Sequence, residues 1–413
     1  MASIVAFPQI VQQALDEFGD LFANEPQRRH FAEYLTGLFV AACKTISGIN
    51  REFAHTTDPS CLNRFLHHED WDIQALNRRR LEVLQRDSSL RYTRHGTIAV
   101  DDTLIDHDGK CIEDAGWFWD HAEERHKIAH DYLIANYVCS NGKHFPLDFR
   151  RFKKRDQCEA EKVPFKDHTK LFHELADWVT EQKIPGTFAM DSYFTNAPIL
   201  NYLHAKIDAA EGRSRGYVGS LKFNRKLWYR NEEVKVSALA ARIDKDSRKP
   251  LREGDKQQWC FTCSLRIPDV KHRVRIAMLW KNQGDAQPRI VLVTNRVQWE
   301  ASRIVRVYRF RWTGTETFHR DGKQQLGMGD CQVRDGEGQT RHMHFVMLAY
   351  SLLVRELGQG HASEWACRIL TTIGEACRAV MAETLRTTLM WAIDRVMLYA
   401  WNKEEVIADL GLS

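Results

Sequence analysis

A mixed α/β core, interrupted by a β-rich stretch and flanked by helical ends, is the fold class this sequence predicts. Three observations carry it. Apolar residues recur at helical spacing near both ends of the chain. Between them, short apolar runs alternate with amphipathic segments, which is the order of a mixed sheet and its covering helices. Residues 212–296 break that order with consecutive strand-like runs separated by polar turns.

The elements follow in order. The chain has 413 residues, too many for one ordinary core. Residues 1–90 read as a helical region, with apolar positions three and four apart through 10–22, 31–46 and 76–84. The last of these helices carries Arg78, Arg79 and Arg80. They form either a solvated helix face or a surface that lies along DNA phosphates. The pattern changes at Gly96. Residues 96–103 are a short apolar run ending in Asp101 and Asp102, hence a buried strand. Residues 131–152 form two strands joined by a turn at 140–143, where Asn-Gly favours a tight hairpin. An amphipathic helix is expected over 167–182, then a buried strand over 186–191 ending in Asp191. A helix over 198–210 follows, with its proline in the first turn. Residues 91–211 are thus the first part of the core.

In 212–296, strands are expected at 216–222, 233–241, 259–267, 274–280 and 289–294. Basic residues outnumber acidic ones here, with Trp228, Tyr229, Trp259 and Trp280 interleaved. Such a surface suits DNA, because bases stack on rings and phosphates pair with cations. A β-rich domain with aromatic core residues accounts for most of these tryptophans equally well. From about Arg306 the chain reads helical to its end: 297–350 completes the core and 351–413 is a helical C-terminal region.

Composition narrows the class. Hydrophobic residues make up 43%, charged residues 28%, and the formal net charge is +4. That is ordinary globular composition, and bulk charge alone does not announce a nucleic-acid partner. The N-terminus reads as an amphipathic helix and not a signal peptide. The most apolar stretch, 344–357, is too short for a membrane span. Ten scattered cysteines point to reduced thiols in a cytoplasmic protein. Cys260 and Cys263 have zinc-like spacing. A structural zinc needs four ligands, and the alternation around the pair reads as a strand with two ordinary cysteines. His121, His126 and His130 would suit a metal only on a helix, and the residues that follow look like strand. Arg341, His342 and His344 read as core or surface residues without a role.

The chemistry rests on acids. Asp102 and Asp191 end separate buried strands, where α/β sheets present catalytic groups. Glu316 and Lys323 are two helical turns apart and share one face with Arg320. That helix is either an ion-paired surface helix or a carboxylate set beside cations that hold phosphates.

At these residues the sequence resembles the DDE transposases of bacterial insertion sequences, in the branch with a Tyr-Arg-Glu-Lys signature. Tyr308, Arg311, Glu316 and Lys323 fill the signature, followed by the Gln-x-Leu-Gly of residues 324–327. Asp102-Thr103 matches the first Asp-Thr, and Asp191 matches the acid that ends a strand before a helix. The resemblance spans roughly residues 60–360. One feature departs: four residues, not three, separate Arg311 from Glu316, and residues 313–315 could hold a one-residue bulge. Adjacent strand residues point to opposite faces, so only one of Asp101 and Asp102 is a ligand; Thr103 favours Asp102.

The resemblance implies a ribonuclease-H-like core split by a β-rich insertion. It makes Asp102, Asp191 and Glu316 both the catalytic triad and the ligands of two Mg²⁺ ions about 4 Å apart, for which Mn²⁺ can substitute. Asp102 would bridge the ions. Tyr308, Arg311, Arg320 and Lys323 would contact phosphates, and Trp259 or Trp280 in the insertion could stack on a flipped base. The reaction implied is cut-and-paste transposition of double-stranded DNA, at inverted-repeat ends and then a target. A homodimer would join two ends, with the helices of 361–413 as candidate contacts. Two rivals stand beside it: a metal-dependent nuclease that cuts without joining, and a domesticated DNA-binding protein without catalysis.

Overall fold

The helical periodicity of the N-terminus becomes α1 (Gln9–Phe18), α2 (Glu25–Val40), α3 (Ile46–Asn50), α4 (Pro59–His67) and α5 (Ile73–Arg86). This computed structural model describes residues 4–67, 69–109, 111–120, 123–253, 256–357, 369–399 and 401–411. Next come β1 (Thr97–Asp106), β2 (Gly116–Asp120), β3 (Arg125–Val138), β4 (His144–Phe152), α6 (Arg155–Glu161), α7 (His168–Glu181), β5 (Thr187–Met190) and α8 (Ala197–Ala205). The β-rich stretch holds β6 (Ile207–Asp208), β7 (Arg213–Ser214), β8 (Tyr217–Ser220), β9 (Lys226–Tyr229), β10 (Glu232–Lys235), α9 (Val236–Arg242), β11 (Lys249–Glu253), β12 (Lys256–Leu265), β13 (Val274–Trp280) and β14 (Ile290–Thr294). Then α10 (Ala301–Gln325), α11 (Gly336–Glu356), α12 (Ile373–Tyr399) and α13 (Lys403–Asp409) follow. The fold is mixed α/β, with a mostly antiparallel central sheet and helices at both ends. Among the described residues no helix is long and apolar enough to cross a membrane.

The chain divides into two units. One comprises Met1–Arg91, Leu104–Asp131 and Phe318–Ser413; the other comprises Tyr92–Thr103 and Tyr132–Thr317.

In the first unit, helices from both ends of the sequence share one core. Asn24 and Asp72 cap α2 and α5 by accepting from the backbone N–H groups of Gln27 and Gln74. The buried rings of Phe31, Phe65 and Trp71 gather on Phe345 of α11, and Phe65 stacks on Trp71 at 5.3 Å. Tyr34 donates from its hydroxyl to His342 Nδ1 at 2.8 Å, and His342 Nε2 donates to the Gly327 carbonyl at 3.0 Å. Both nitrogens of the buried imidazole are thereby bonded. Burial pushes its pKa down to about 4. β3 also begins in this unit, so His126 and His130 lie on a strand. His130 is fully buried, with Nδ1 2.8 Å from His107 Nε2 and Nε2 bonded to the Glu113 carbonyl. His121 lies outside the described residues.

In the second unit, β5 runs parallel to both β1 and β8. Gly186, at φ +135°, lets β5 start against β1: a Cβ there would stand 2.8 Å from the Gly96 carbonyl oxygen. β8 pairs antiparallel with β14, and β14, β13, β12 and β11 continue as an antiparallel meander. The β-rich stretch therefore extends the sheet that carries the acids. The expected strand over 233–241 is corrected: only Glu232–Lys235 is strand, and the Ala- and Leu-rich remainder turns into α9. Cys260 and Cys263 sit three apart on β12, opposite Leu279 and Ile276, and so project to opposite faces. Burial pushes their thiols up to about 12 and about 11.

The first turns of α10 lie on this sheet. Ile304, Val305 and Val307 pack with Ala189, Val218, Ala277, Leu279 and Leu292. Further along, a Cβ on Gly314 would meet Val138 Cγ2 at 2.6 Å and Ala99 Cβ at 3.1 Å. The glycine that suggested a bulge is instead what lets an unbroken helix approach β1 and β3. Helix runs through Trp312–Thr315, and the bulge expected there is not formed.

Candidate active site

Four carboxylates converge in the second unit. β1 carries Asp101 and Asp102, the end of β5 leads into Asp191, and α10 supplies Glu316. Asp101 is 9% exposed and faces α10. One of its oxygens is ion-paired with Arg311, and Thr315 Oγ1 lies 3.4 Å from the same oxygen. Burial pushes the Asp101 carboxyl up to about 7. Asp191, Asp102 and Glu316 push in the same direction, and Arg311 opposes them. The expected acids are thus near enough to act on one carboxyl.

Each acid is held differently. Asp191 Oδ1 accepts from the backbone N–H groups of Tyr193 (2.9 Å) and Phe194 (3.1 Å), a local turn that fixes the carboxylate just past β5. Glu316 is half-buried, one residue beyond the buried Thr315. Asp102 is exposed, as strand alternation requires beside a buried Asp101. Its carboxylate lies within 4.8 Å of a ring nitrogen of His168. His168 opens α7 behind the capping carboxylate of Asp167, and its ring stacks on Phe152 at 4.4 Å. Sequence reasoning passed over Asp101's contact with Arg311 and the whole of His168. Nothing in the residues around His168 signals its neighbour.

The cations sort less evenly. Arg311 is buried beneath Tyr308, its guanidinium 5.6 Å from the ring centroid. Its charge is turned onto Asp101. Arg320 is exposed and bonds to Asp321, and Lys323 Nζ donates to the Leu104 carbonyl at 2.8 Å; both belong to the first unit. Arg80 corrects an expectation: it is 2% exposed and donates to Asn77 and Ser351, which removes it from reach of any phosphate. Arg79 is tied to Asp20 by two bonds of 2.9 Å, and Arg78 reaches Asp72. Trp280 is also corrected. Its side chain is fully buried under Arg248, so no base can stack on it. Its cross-strand neighbour Trp259 is half-buried.

Residues 17–257 match the family described as DDE superfamily endonuclease. The chain belongs to this family. The matched residues include β1 and β5 with their acids and end before α10. No curated protein matches the chain. Membership of the DDE superfamily endonucleases makes the protein a metal-dependent enzyme that acts on DNA. The donor set suits that chemistry. Carboxylate oxygens are hard ligands, and the charge that Asp191, Asp102 and Glu316 impose on Asp101 is what a divalent cation would relieve.

Proposed function

We propose that the protein is a transposase of the Tyr-Arg-Glu-Lys branch, with a ribonuclease-H-like core. It would cut double-stranded DNA at inverted-repeat ends and join those ends to a target. The observation that carries this reading is the buried Asp101 of β1, ion-paired with Arg311 of the helix that bears Glu316 and acted on by the charges of Asp102, Asp191 and Glu316, within the family's matched region and the helix beyond it. The proposed triad is Asp101, Asp191 and Glu316. Asp102 was the expected first member. Asp101 takes its place because it, and not Asp102, faces the helix that bears Glu316.

Bound there, two Mg²⁺ ions, or Mn²⁺, would supply Lewis acidity to the attacking and leaving oxygens. The protein's own residues do the rest. Asp101, Asp191 and Glu316 would present the oxygen ligands. Arg311 opposes protonation of Asp101 and orients it by charge and hydrogen bond. The backbone turn at Tyr193–Phe194 keeps Asp191 from rotating away. Tyr308 in the second unit, and Arg320 and Lys323 in the first, remain proposed phosphate contacts.

The proposed working form is a homodimer, because joining needs two ends in one complex. An exposed apolar row on α12, formed by Leu385, Leu389, Ile393 and Val396, supports it as a helix-to-helix contact. The deciding experiment incubates the protein with a donor plasmid bearing the gene's flanking repeats, a target plasmid and Mg²⁺. Joined donor–target products are expected. Cleaved donor ends that never join would replace the transposase reading with a nuclease.

A further inference from the structure

Two adjoining cavities in the sheet-bearing unit share Arg303, Arg306 and Phe310 in their walls. Arg94, from the turn before β1, lines one of them; Arg252 of β11 and Arg309 of α10 line the other. Five arginines from three separate segments thus meet, and no carboxylate occurs among the described lining residues. Here Arg303 covers the Trp299 ring at 4.0 Å. Burial and the charges of Arg306, Arg213 and Arg94 pull its pKa down, with Glu211 opposing. A concentration of like charge costs free energy in the isolated protein, and a polyanion offsets that cost.

The helix gives the patch a direction. Arg306, Arg309, Thr313 and Glu316 recur at intervals of three, four and three, so they share one face of α10. At 1.5 Å per residue, Arg306 stands about 15 Å along the axis from Glu316. That length is about four phosphates of one duplex strand, at 3.4 Å of axis each.

We propose that this arginine-lined cleft is a track for the phosphodiester backbone of duplex DNA, leading along α10 to the acid site. It reads no sequence. It fixes the register of the strand, so that a phosphate arrives at Glu316. The proposal rests on the DNA-cutting reading of that site.

The test is duplex binding followed by fluorescence anisotropy in Ca²⁺ as salt is raised, with parent and Arg94→Gln/Arg306→Gln/Arg309→Gln protein. Each lost phosphate contact lowers the log–log salt slope by about 0.9, so the triple variant should lose about 2.7 and bind at least about tenfold more weakly. An Arg78→Gln control on α5 should keep the parent's slope. Thermal unfolding at the parent's temperature establishes that the variant folds. A triple variant with the parent's slope and affinity overturns the track and leaves the DNA-cutting reading standing. A parent that binds no duplex at all overturns both.

Discussion

Two helices advertise arginines in this sequence, and they use them in opposite ways. On α5 the three are consecutive, at 78, 79 and 80. Consecutive positions advance about 100° around a helix, so three of them span more than half its circumference and one must turn inward. Arg80 does, and it donates to Asn77 and Ser351 in the interior. On α10, Arg303, Arg306 and Arg309 recur every third residue, and all three reach the same side. A run of positive charge in sequence therefore does not say which side chains reach one face of a helix, whereas the spacing of the charges does.

The contrast can be broken in several ways. The largest effect should come from Arg80→Met, which leaves Asn77 and Ser351 with buried unmet acceptors. A loss of roughly 2–4 kcal/mol is expected in urea unfolding, with duplex affinity unchanged. Unchanged stability with weaker DNA binding would return α5 to the DNA surface.

Next is the pH response of the helical unit. Burial holds His342 at about 4 in the folded state, against about 6.5 unfolded. As pH falls, the unfolded chain takes up the proton first, so stability is full above about 6.5 and drains away down to about 4. Up to roughly 3 kcal/mol is involved. The urea midpoint of the parent should fall through that window, and that of His342→Gln should fall less. Parallel curves would remove His342 as a cause.

The smallest effect is expected at Arg79. Its pair with Asp20 is largely exposed on the acid's side, so Arg79→Ala should cost under about 1 kcal/mol by the same urea measurement. A loss equal to that of Arg80→Met would mean that α5 treats its arginines alike.

Much of this was legible in the sequence. The strands before Asp101 and Asp191 are short apolar runs that end in acids, and burial on both faces leaves such a pattern. The helix bearing Glu316 shows its period plainly. What sequence left open depends on where α10 lies. Thr103 cannot say which of two adjacent acids faces a helix two hundred residues later; the Arg311 pair does. Gly314 read as part of a bulge before the helix, because a glycine's partner across a packed interface is invisible in one dimension. Trp280 stood open between a base-stacking ring and a core residue, since strand alternation gives two faces without saying which one is covered.

The central claim is that Asp101, with Asp191 and Glu316, forms the metal-holding triad. Plasmid-end cleavage in Mg²⁺ by Asp101→Asn and Asp102→Asn tests it most directly. The account predicts that Asp101→Asn falls to background while Asp102→Asn stays within about tenfold of the parent, a barrier change of roughly 1.4 kcal/mol. Cleavage retained by Asp101→Asn and lost by Asp102→Asn would contradict it.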